Sequence, residues 1–185
     1  MKLIKTEIPE VLVIEPRKFA DDRGFFSETY NYRQFLEKEI NLNFVQDNHS
    51  FSEEKYTLRG LHYQSPPFAQ EKLVRVIRGS ILDVAVDIRH GSPTFGKSVA
   101  IELNSDNWLQ LLVPKGFAHG ILTLEKNTEI IYKVTDFYSP ENDKGIIWND
   151  PTLAINWPVA ENMLKMSEKD IKQPLFSEVE KHFRY

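Results

Sequence analysis

The chain has 185 residues, no cysteine and a formal net charge of −4 at pH 7. This length suits a single domain, residues 1–185, and the absence of cysteine excludes disulfides, thiolate metal sites and cysteine nucleophiles. There is no basic patch of the kind that binds nucleic acid and no apolar run near the ~20 residues that cross a bilayer. We therefore expect a cytoplasmic protein whose partners are small molecules or copies of itself, with no nucleic acid and no membrane.

The first fifty residues predict short strands and one helix. Extended segments are expected at residues 12–14, 24–30 and 44–50. Between the last two, Phe35, Leu36 and Ile40 recur at helical spacing among charged residues. This spacing predicts a short amphipathic helix over residues 33–40.

From residue 57 onward the sequence becomes a succession of short strands. The predicted strands cover residues 58–64, 71–77, 81–88, 98–103, 108–113, 120–124 and 129–134. Turn signals fall between them at residues 78–80, 90–93, 104–106 and 125–127. Regular spacing of this kind predicts a β-sandwich or barrel. After it, Ser167 begins a helical or irregular segment that ends near Pro174.

The strand predicted over residues 58–64 carries the first functional signal. Because alternate side chains of a strand share a face, Gly60, His62 and Gln64 are expected on one face. The opposite face is expected to hold Arg59, Leu61 and Tyr63. Gly60 removes side-chain bulk and is typical of a bulge or of a close approach to the backbone. The pattern favours a cavity beside His62, although an ordinary histidine in a sheet fits it equally well.

The strand predicted over residues 81–88 has an unusual composition. One face holds Leu82, Val84, Val86 and Ile88, and the other holds Ile81, Asp83, Ala85 and Asp87. Two acids sharing a face with two apolar residues are not typical of a plain solvent-exposed face.

The spacing Pro114-x-Gly116-x-x-His119 resembles the second conserved motif of the cupin superfamily, a double-stranded β-helix. Proline and glycine favour a tight turn, after which the histidine is expected at the start of the next strand, in the barrel mouth. This motif favours a cupin-type barrel among the possible all-β folds.

A metal site is an alternative use of the two histidines. The first cupin motif normally has two histidines one residue apart and then a glutamate, whereas His62 is followed two positions later by Gln64. A metal-dependent cupin oxygenase would have to use His62, Glu71 and His119 as ligands. The missing histidine disfavours this hypothesis.

Seven stretches, in order along the chain, resemble the dTDP-4-dehydrorhamnose 3,5-epimerase family. They are residues 22–28, 46–50, 58–64, 72–76, 82–89, 114–119 and 138–141, and the similarity extends over essentially the whole chain. The resemblance implies an all-β fold, a cupin-type double-stranded β-helix (jelly roll) with a short N-terminal helix and a helical C-terminal segment. It also implies a homodimer, no metal and no organic cofactor, and epimerisation of a dTDP-linked 4-keto-6-deoxyhexose at C3 and C5 in dTDP-L-rhamnose biosynthesis.

Epimerisation beside a ketone needs a base, an acid across the ring and positive charge near the ketone oxygen. The hydrogens on C3 and C5 are both α to the carbonyl, so their removal leaves an enolate that is reprotonated on the opposite face. Imidazole, with an unperturbed pKa of about 6.5, suits the base. The resemblance assigns these roles to His62 as base, Asp170 as its partner, Tyr132 as acid, Lys72 and His119 beside the ketone oxygen, and Asp83 behind His119.

The residue pattern alone is equally compatible with purely structural roles for two of these residues. Ser167 with an acid three residues later matches a capping box, which would account for Asp170 without catalysis. Tyr132 shares its predicted face with Ile130 and Val134 and would pass for a core aromatic residue. Only the resemblance favours catalytic roles over these structural ones.

The resemblance also implies a nucleotide site, which needs cations for two phosphates and a flat surface for the base. The implied residues are Arg23, Arg59 and Lys169 for the diphosphate, Phe26 and Tyr138 for thymine, Glu28, Gln46 and Asn48 for polar edges, and Asp47 as a further substrate-binding residue. The family commonly has a glutamate where this chain has Asp143, whose side chain is one methylene shorter. We expect Arg23, Phe26 and Glu28 to reach the pocket of the neighbouring subunit.

Other functions compatible with the sequence are epimerisation at one carbon only, action on a different nucleotide sugar, and non-catalytic binding of a sugar nucleotide. A non-catalytic protein would release no substrate hydrogen to solvent. Hydrogen exchange in D₂O therefore distinguishes these hypotheses.

Overall fold

The computed structural model describes all 185 residues. Its strands are β1 (Lys2–Lys5), β2 (Leu12–Glu15), β3 (Lys18–Asp21), β4 (Gly24–Ser27), β5 (Gln46–Ser52), β6 (Leu58–Gln64), β7 (Lys72–Arg78), β8 (Ser80–Asp87), β9 (Ser98–Asn104), β10 (Gln110–Val113), β11 (Phe117–Thr123), β12 (Thr128–Val134) and β13 (Asp143–Gly145). The helices are α1 (Tyr32–Leu36), α2 (Glu168–Ile171) and two 3-10 turns, Glu161–Met163 and Phe176–Glu178. None of these helices has the length and apolar character needed to cross a membrane.

Most strands belong to two antiparallel sheets. One has six strands in the order β1-β2-β10-β7-β12-β5, and the other has five in the order β13-β6-β11-β8-β9. Strands that are distant in the chain are neighbours, since β10 lies between β2 and β7 while β11 lies between β6 and β8. This is the crossing pattern of a jelly roll, in which the chain passes repeatedly between two facing sheets. The all-β jelly-roll prediction is confirmed.

The main core fills the space between the two sheets. The six-stranded sheet contributes Val74, Val76 and Ile130, and the five-stranded sheet contributes Ile81 and Phe117 to the same cluster of 14 buried residues. Burying these side chains against each other removes apolar surface from water, which is the main force holding the sheets face to face.

The C-terminal segment covers the outer face of the five-stranded sheet. Val84 and Val86 of β8 pack in one buried cluster with Trp148, Leu153 and Trp157. Strand β8 is therefore buried on both faces, which explains its nearly continuous apolar sequence.

The two acids of β8 are fully buried, and each has its own partners. Asp87 accepts hydrogen bonds from Arg89, Ser92 and Thr94 in the turn that follows the strand. Asp83 lies beside His119 of the adjacent strand β11. The turn after β8 therefore explains the buried position of Asp87, and the contact with His119 explains that of Asp83.

Helix α1 covers part of the outer face of the six-stranded sheet. Phe35 and Ile40 pack there with Ile14, Leu73 and Leu112. The predicted helix over residues 33–40 is too long at its C-terminal end. The helix ends because the residue before Ile40 has a left-handed backbone, with φ of 62°, so Ile40 reaches the sheet from the turn beyond the helix.

Several predicted strand boundaries are wrong. The strand expected over residues 24–30 ends at Ser27, and the pattern gave no sign of β1 and β3. The strand expected over residues 108–113 begins only at Gln110, because Trp108 has φ of 59° and interrupts the extended backbone. Strand β11 begins at Phe117, so His119 lies inside the strand and not at its start. The helical segment after Ser167 is confirmed as α2.

Candidate active site

A cavity of about 300 Å³ opens between the two sheets. Its lining consists of Ser50, Arg59, His62, Lys72, His119, Ile121, Ile130, Tyr132, Ser167 and Asp170. The five-stranded sheet supplies His62 and His119, whereas the six-stranded sheet supplies Lys72 and Tyr132. A molecule bound here would therefore contact functional groups from two opposite walls.

A bulge in β6 determines which side chains enter this cavity. His62 pairs with His119 and Arg59 pairs with Ile121, so two residues of β6 oppose one residue of β11. The extra residue reverses the alternation, which is why both His62 and Arg59 line the cavity. Placing Arg59 on the face opposite His62 was therefore wrong.

Gly60 makes the bulge possible. Its φ is +118°, and a Cβ atom at this position would lie 2.5 Å from the backbone oxygen of His119. Only glycine fits so close an approach in that backbone conformation. The predicted bulge at Gly60 is confirmed.

His62 lies against the carboxylate of Asp170, which helix α2 carries into the cavity. Nε2 of His62 is 2.6 Å from Oδ1 of Asp170, although the ring N–H is poorly aligned with that oxygen. Burial alone would raise the pKa of Asp170, but the close contact with His62 and hydrogen bonds from Ser167 and the Gly60 backbone N–H outweigh it and lower this pKa. Asp170 is therefore an anion at neutral pH, able to stabilise a positive charge on His62.

His119 has a carboxylate partner of its own. Its Nε2 is 2.5 Å from Oδ1 of Asp83, and both side chains are almost completely buried. The other carboxylate oxygen of Asp83 has no hydrogen-bond partner. The contact fixes the orientation of the His119 ring at the cavity wall.

Lys72 supplies a cation to the cavity. No carboxylate oxygen lies within 4.0 Å of its amine nitrogen, so it has no direct ion-pair partner. Burial lowers the pKa of Lys72 to about 8, against the opposing influence of the negative charges of Asp143 and Asp83. The amine is therefore mostly protonated at pH 7, and its charge is weakly hydrated. Such a cation interacts strongly with negative charge that develops nearby.

Tyr132 packs beside the core cluster between the sheets, close to Ile130. Burial raises the pKa of Tyr132, while the positive charge of Arg59 acts in the opposite direction. The phenol thus keeps its proton at neutral pH. Both expectations for Tyr132 hold in part, since the ring packs with core residues and the side chain also lines the cavity.

A second cavity, of about 260 Å³, adjoins the first and shares His62, Lys72 and Tyr132 with it. Its other lining residues are Gln46, Asn48, Tyr63, Gln64, Gln70, Tyr138, Asp143 and Lys169. Gln64 is held there by accepting the Ser139 backbone N–H and donating to two backbone carbonyls. The two cavities together form one elongated cleft.

Asp143 links two residues of the second cavity. Its carboxylate accepts a hydrogen bond from the Tyr138 hydroxyl at 3.0 Å and one from Lys169 Nζ at 2.5 Å. The hydrogen bond with Asp143 raises the pKa of Lys169 above its usual value. Despite its shorter side chain, Asp143 thus reaches the cleft.

The structure leaves four of the expected substrate-binding residues outside the cleft. Arg23 pairs with Asp21, Glu28 accepts hydrogen bonds from two neighbouring side chains, and the ring of Phe26 is 66% exposed. All three lie on or beside the hairpin of β3 and β4. Asp47 points to the opposite face of β5 from its two neighbours and pairs with Lys133 at 2.8 Å.

The hypothetical metal triad is not assembled. Glu71 contacts Thr135 and Lys115, and it does not line the cavity of His62 and His119. No cluster of three His, Asp or Glu side chains in the chain has the geometry to hold a metal ion.

Six lining residues of the cleft were not predicted as site residues: Ser50, Tyr63, Gln70, Ile121, Ile130 and Ser167. Ser50 lines the cavity because it continues the alternation of Gln46 and Asn48, which could have identified it. Ile121 and Ile130 supply apolar surface there, but nothing in the sequence distinguishes them from ordinary core residues.

A jelly roll with a histidine–carboxylate pair, a partly buried lysine and a tyrosine around one cleft defines an acid–base enzyme of the cupin type. The chain belongs to the dTDP-4-dehydrorhamnose 3,5-epimerase family, whose family model matches residues 5–178. The enzyme of that name from Sinorhizobium fredii is 51% identical over 178 residues, 96% of this chain and 91% of its own. The one from Shigella flexneri is 51% identical over 177 residues, 95% of this chain and 96% of its own.

Solved structures show the same similarity. A 3,5-epimerase from Legionella pneumophila in complex with dTDP-4-keto-L-rhamnose has a TM-score of 0.95 and 45% identity, covering 100% of this chain and 98% of that one. The dTDP-4-dehydrorhamnose 3,5-epimerase of Bacillus anthracis, with TDP and PPi bound, has a TM-score of 0.91 and 49% identity, covering 94% and 98%. Both identities are well above the level at which only a fold is shared.

Proposed function

We propose that this chain epimerises dTDP-4-keto-6-deoxy-D-glucose at C3 and C5 to dTDP-4-keto-L-rhamnose, in dTDP-L-rhamnose biosynthesis. The observation that carries the proposal is the placement of His62 and Tyr132 on facing sheets of one cavity. A base on one wall and an acid on the other can reach opposite faces of a sugar ring between them, which is the geometric requirement for inversion.

In the proposed reaction His62 removes the proton from the carbon next to the ketone. Its imidazole gains a positive charge, which the carboxylate of Asp170 stabilises from 2.6 Å. The electron pair of the broken C–H bond moves into the ring and onto the ketone oxygen, giving an enolate.

Lys72 and His119 stabilise that enolate. Lys72 is protonated at neutral pH and His119 is held by Asp83, so both can present positive charge or a hydrogen bond to the oxygen without rearranging. Preorganised groups of this kind act most strongly where charge develops in the transition state.

Tyr132 completes the inversion by giving its proton to the carbon from the opposite face. Its pKa is raised by burial, so it starts the reaction protonated. This step leaves His62 protonated and Tyr132 deprotonated. Once His62 has lost its proton to water and Tyr132 has regained one from water, the same steps at the second carbon give the doubly inverted product.

The second cavity suits the nucleotide. Lys169 in this cavity and Arg59 in the first cavity supply cations for the diphosphate, and the exposed ring of Tyr138 offers a flat surface for thymine. Gln46 and Asn48 present amide groups for the base edge. Relatives from Legionella pneumophila and Bacillus anthracis bind dTDP-4-keto-L-rhamnose and TDP, which supports a nucleotide-linked ligand for this chain.

We further propose that the chain is a single domain that works as a homodimer in the cytoplasm. In such a dimer, Arg23, Phe26 and Glu28 on the hairpin would contribute to the neighbouring cleft, since they lie outside their own. Asp47 is retained as a substrate-binding residue only on the strength of the resemblance.

Incubation with dTDP-4-keto-6-deoxy-D-glucose in D₂O tests the function. A 3,5-epimerase incorporates deuterium at both C3 and C5 and gives the L-rhamno configuration, read by NMR. Deuterium at one carbon only would identify a mono-epimerase, the activity named for a relative from Streptomyces bikiniensis that is 27% identical. No deuterium at either carbon would contradict catalysis altogether.

A further inference from the structure

Ser167 divides the two oxygens of the Asp170 carboxylate between different partners. Its hydroxyl donates to Oδ2 of Asp170 at 2.7 Å and accepts the Asp170 backbone N–H at 3.1 Å. Oδ1 faces His62, 2.6 Å from Nε2, and accepts the Gly60 backbone N–H at 3.3 Å. Contacts on both oxygens fix the rotation of the carboxylate about its last side-chain bond.

This arrangement differs from a capping box. In a capping box, the acid at the third helical position returns its side chain to the backbone N–H of the N-cap residue. Here Ser167 caps α2, but the Asp170 carboxylate contacts the Ser167 hydroxyl and His62 instead. Asp170 is also 4% exposed, although an acid that served only to cap a short surface helix would gain nothing from burial.

We propose that Ser167 is a positioning residue that holds the Asp170 carboxylate so that one oxygen faces the His62 imidazole before substrate binds. The inference rests on the proposed function, because it takes His62 as the base. Without the hydroxyl, Oδ2 would be a buried acceptor that lacks a partner, and the carboxylate would turn or draw in water to satisfy it. The imidazole would then lose its fixed support.

Three substitutions separate positioning from helix capping. Ser167→Thr keeps both the hydroxyl and the cap. Ser167→Gly removes the hydroxyl but keeps a residue that is well tolerated at an N-cap, whereas Ser167→Ala removes both. Each variant is compared with the wild type by kcat, KM, the rate of deuterium exchange from D₂O, and thermal unfolding.

We expect Ser167→Gly and Ser167→Ala to lower kcat by a similar factor, on the order of 10- to 100-fold, the size of a lost hydrogen bond to a charged group. Ser167→Thr should stay within a few-fold of the wild type. KM should change little, because Ser167 acts through Asp170 and His62. A carboxylate that turns away supports the imidazolium less, so the acidic limb of the kcat profile should move to lower pH.

The NMR titration of the His62 ring reads this change directly. The other ionisable groups that line the same cleft or lie beside Asp170 are Arg59, Tyr63, Lys72, His119, Tyr132, Tyr138, Asp143 and Lys169. None of them contacts the Ser167 hydroxyl, so their contributions to the pH profile should be the same in all four proteins.

A wild-type kcat and pH profile for Ser167→Gly would overturn the proposal, even if Ser167→Ala were impaired, since the loss would then come from the helix cap. If the wild-type protein exchanged no substrate hydrogen with solvent, the proposed function would be overturned instead. The two failures are therefore distinguishable in one set of assays.

Discussion

His62 and His119 lie opposite each other on neighbouring strands, yet each has a different carboxylate partner. Asp170 reaches His62 from helix α2, whereas Asp83 reaches His119 from the adjacent strand β8. The His62–Asp170 and His119–Asp83 pairs can therefore have different roles, because their carboxylates come from different elements of the fold. Both histidines line the same cavity as Tyr132, but only His62 has a carboxylate partner from α2.

The roles of base and acid can be separated by two substitutions. His62→Ala should abolish both deuterium exchange and epimer formation, because no enolate forms without a base. Tyr132→Phe keeps the packed ring and removes only the proton donor. We expect it to fold normally and to lose inversion, while some exchange with retained configuration continues through His62. NMR of the sugar in D₂O measures both; inversion of both centres at the wild-type rate by Tyr132→Phe would show that another group is the donor.

The alkaline side of the pH profile should report on Lys72. Burial lowers its pKa to about 8, so the cation is present below that pH and is lost as the pH rises through it. We expect the rate to fall above pH 8 as the charge beside the enolate oxygen disappears. Lys72→Met should be slower by about 10²- to 10³-fold at pH 7 and should lack this limb.

The pKa of Tyr132 is raised by burial, so its deprotonation does not account for a limb near pH 8. A wild-type rate that stays constant from about pH 7 to pH 9.5 would contradict the proposed role of the Lys72 charge.

At the scale of elements, the bulged strand β6 is the feature on which the cleft depends. Gly60→Ala would place a methyl group 2.5 Å from the His119 backbone oxygen at a φ of +118°. We expect a loss of about 2 kcal/mol or more in the free energy of unfolding, together with reduced activity as Arg59 and His62 shift. Urea denaturation and the exchange assay measure the two effects.

Gly91→Ala is the matched control for that substitution. Gly91 also has a positive φ, +86°, but open space surrounds the position of its Cβ atom. It should lose only the ~1–2 kcal/mol of left-handed strain and keep its activity. If both variants behaved alike, the close approach at Gly60 would have no role in building the cleft.

At the scale of the whole molecule, the hairpin of β3 and β4 is a two-stranded sheet that is separate from the two main sheets. The two strands pair only with each other, and Phe19, Phe25 and Phe26 are 48%, 51% and 66% exposed. A two-stranded hairpin is marginally stable alone, and clustered exposed aromatics are typical of an interface. These features support a dimer in which the hairpin contacts the second subunit.

Subunit mixing tests whether the cleft is shared. Arg23→Ala should be weakly active alone, and His62→Ala should be inactive. If Arg23 serves the neighbouring cleft, a mixed dimer has one complete cleft, so an equal mixture should regain roughly a quarter of the wild-type activity. Light scattering checks the assembly state in parallel. A fully active monomer at micromolar concentration would contradict the dimer, and a mixture without recovery would place Arg23 in its own cleft.

Much of the local structure could be predicted from the sequence. Period-two alternation with turn residues between predicted the succession of strands from β6 to β12, and Gly60 predicted the bulge. The cupin-like spacing up to His119 predicted the jelly roll. These features depend on side chains within a few positions of each other, so the order of residues contains the information needed.

Which residues line the cleft depends on the tertiary structure. The sheets close only when β10 inserts between β2 and β7, and residue order does not reveal which strands become neighbours. The bulge then turns Arg59 to the side of His62, and the C-terminal segment returns across the five-stranded sheet to bring Asp170 to the same place. Such contacts come from the closure of long loops and the burial of whole faces, because the free energy that selects them is summed over the entire core and not over any one stretch.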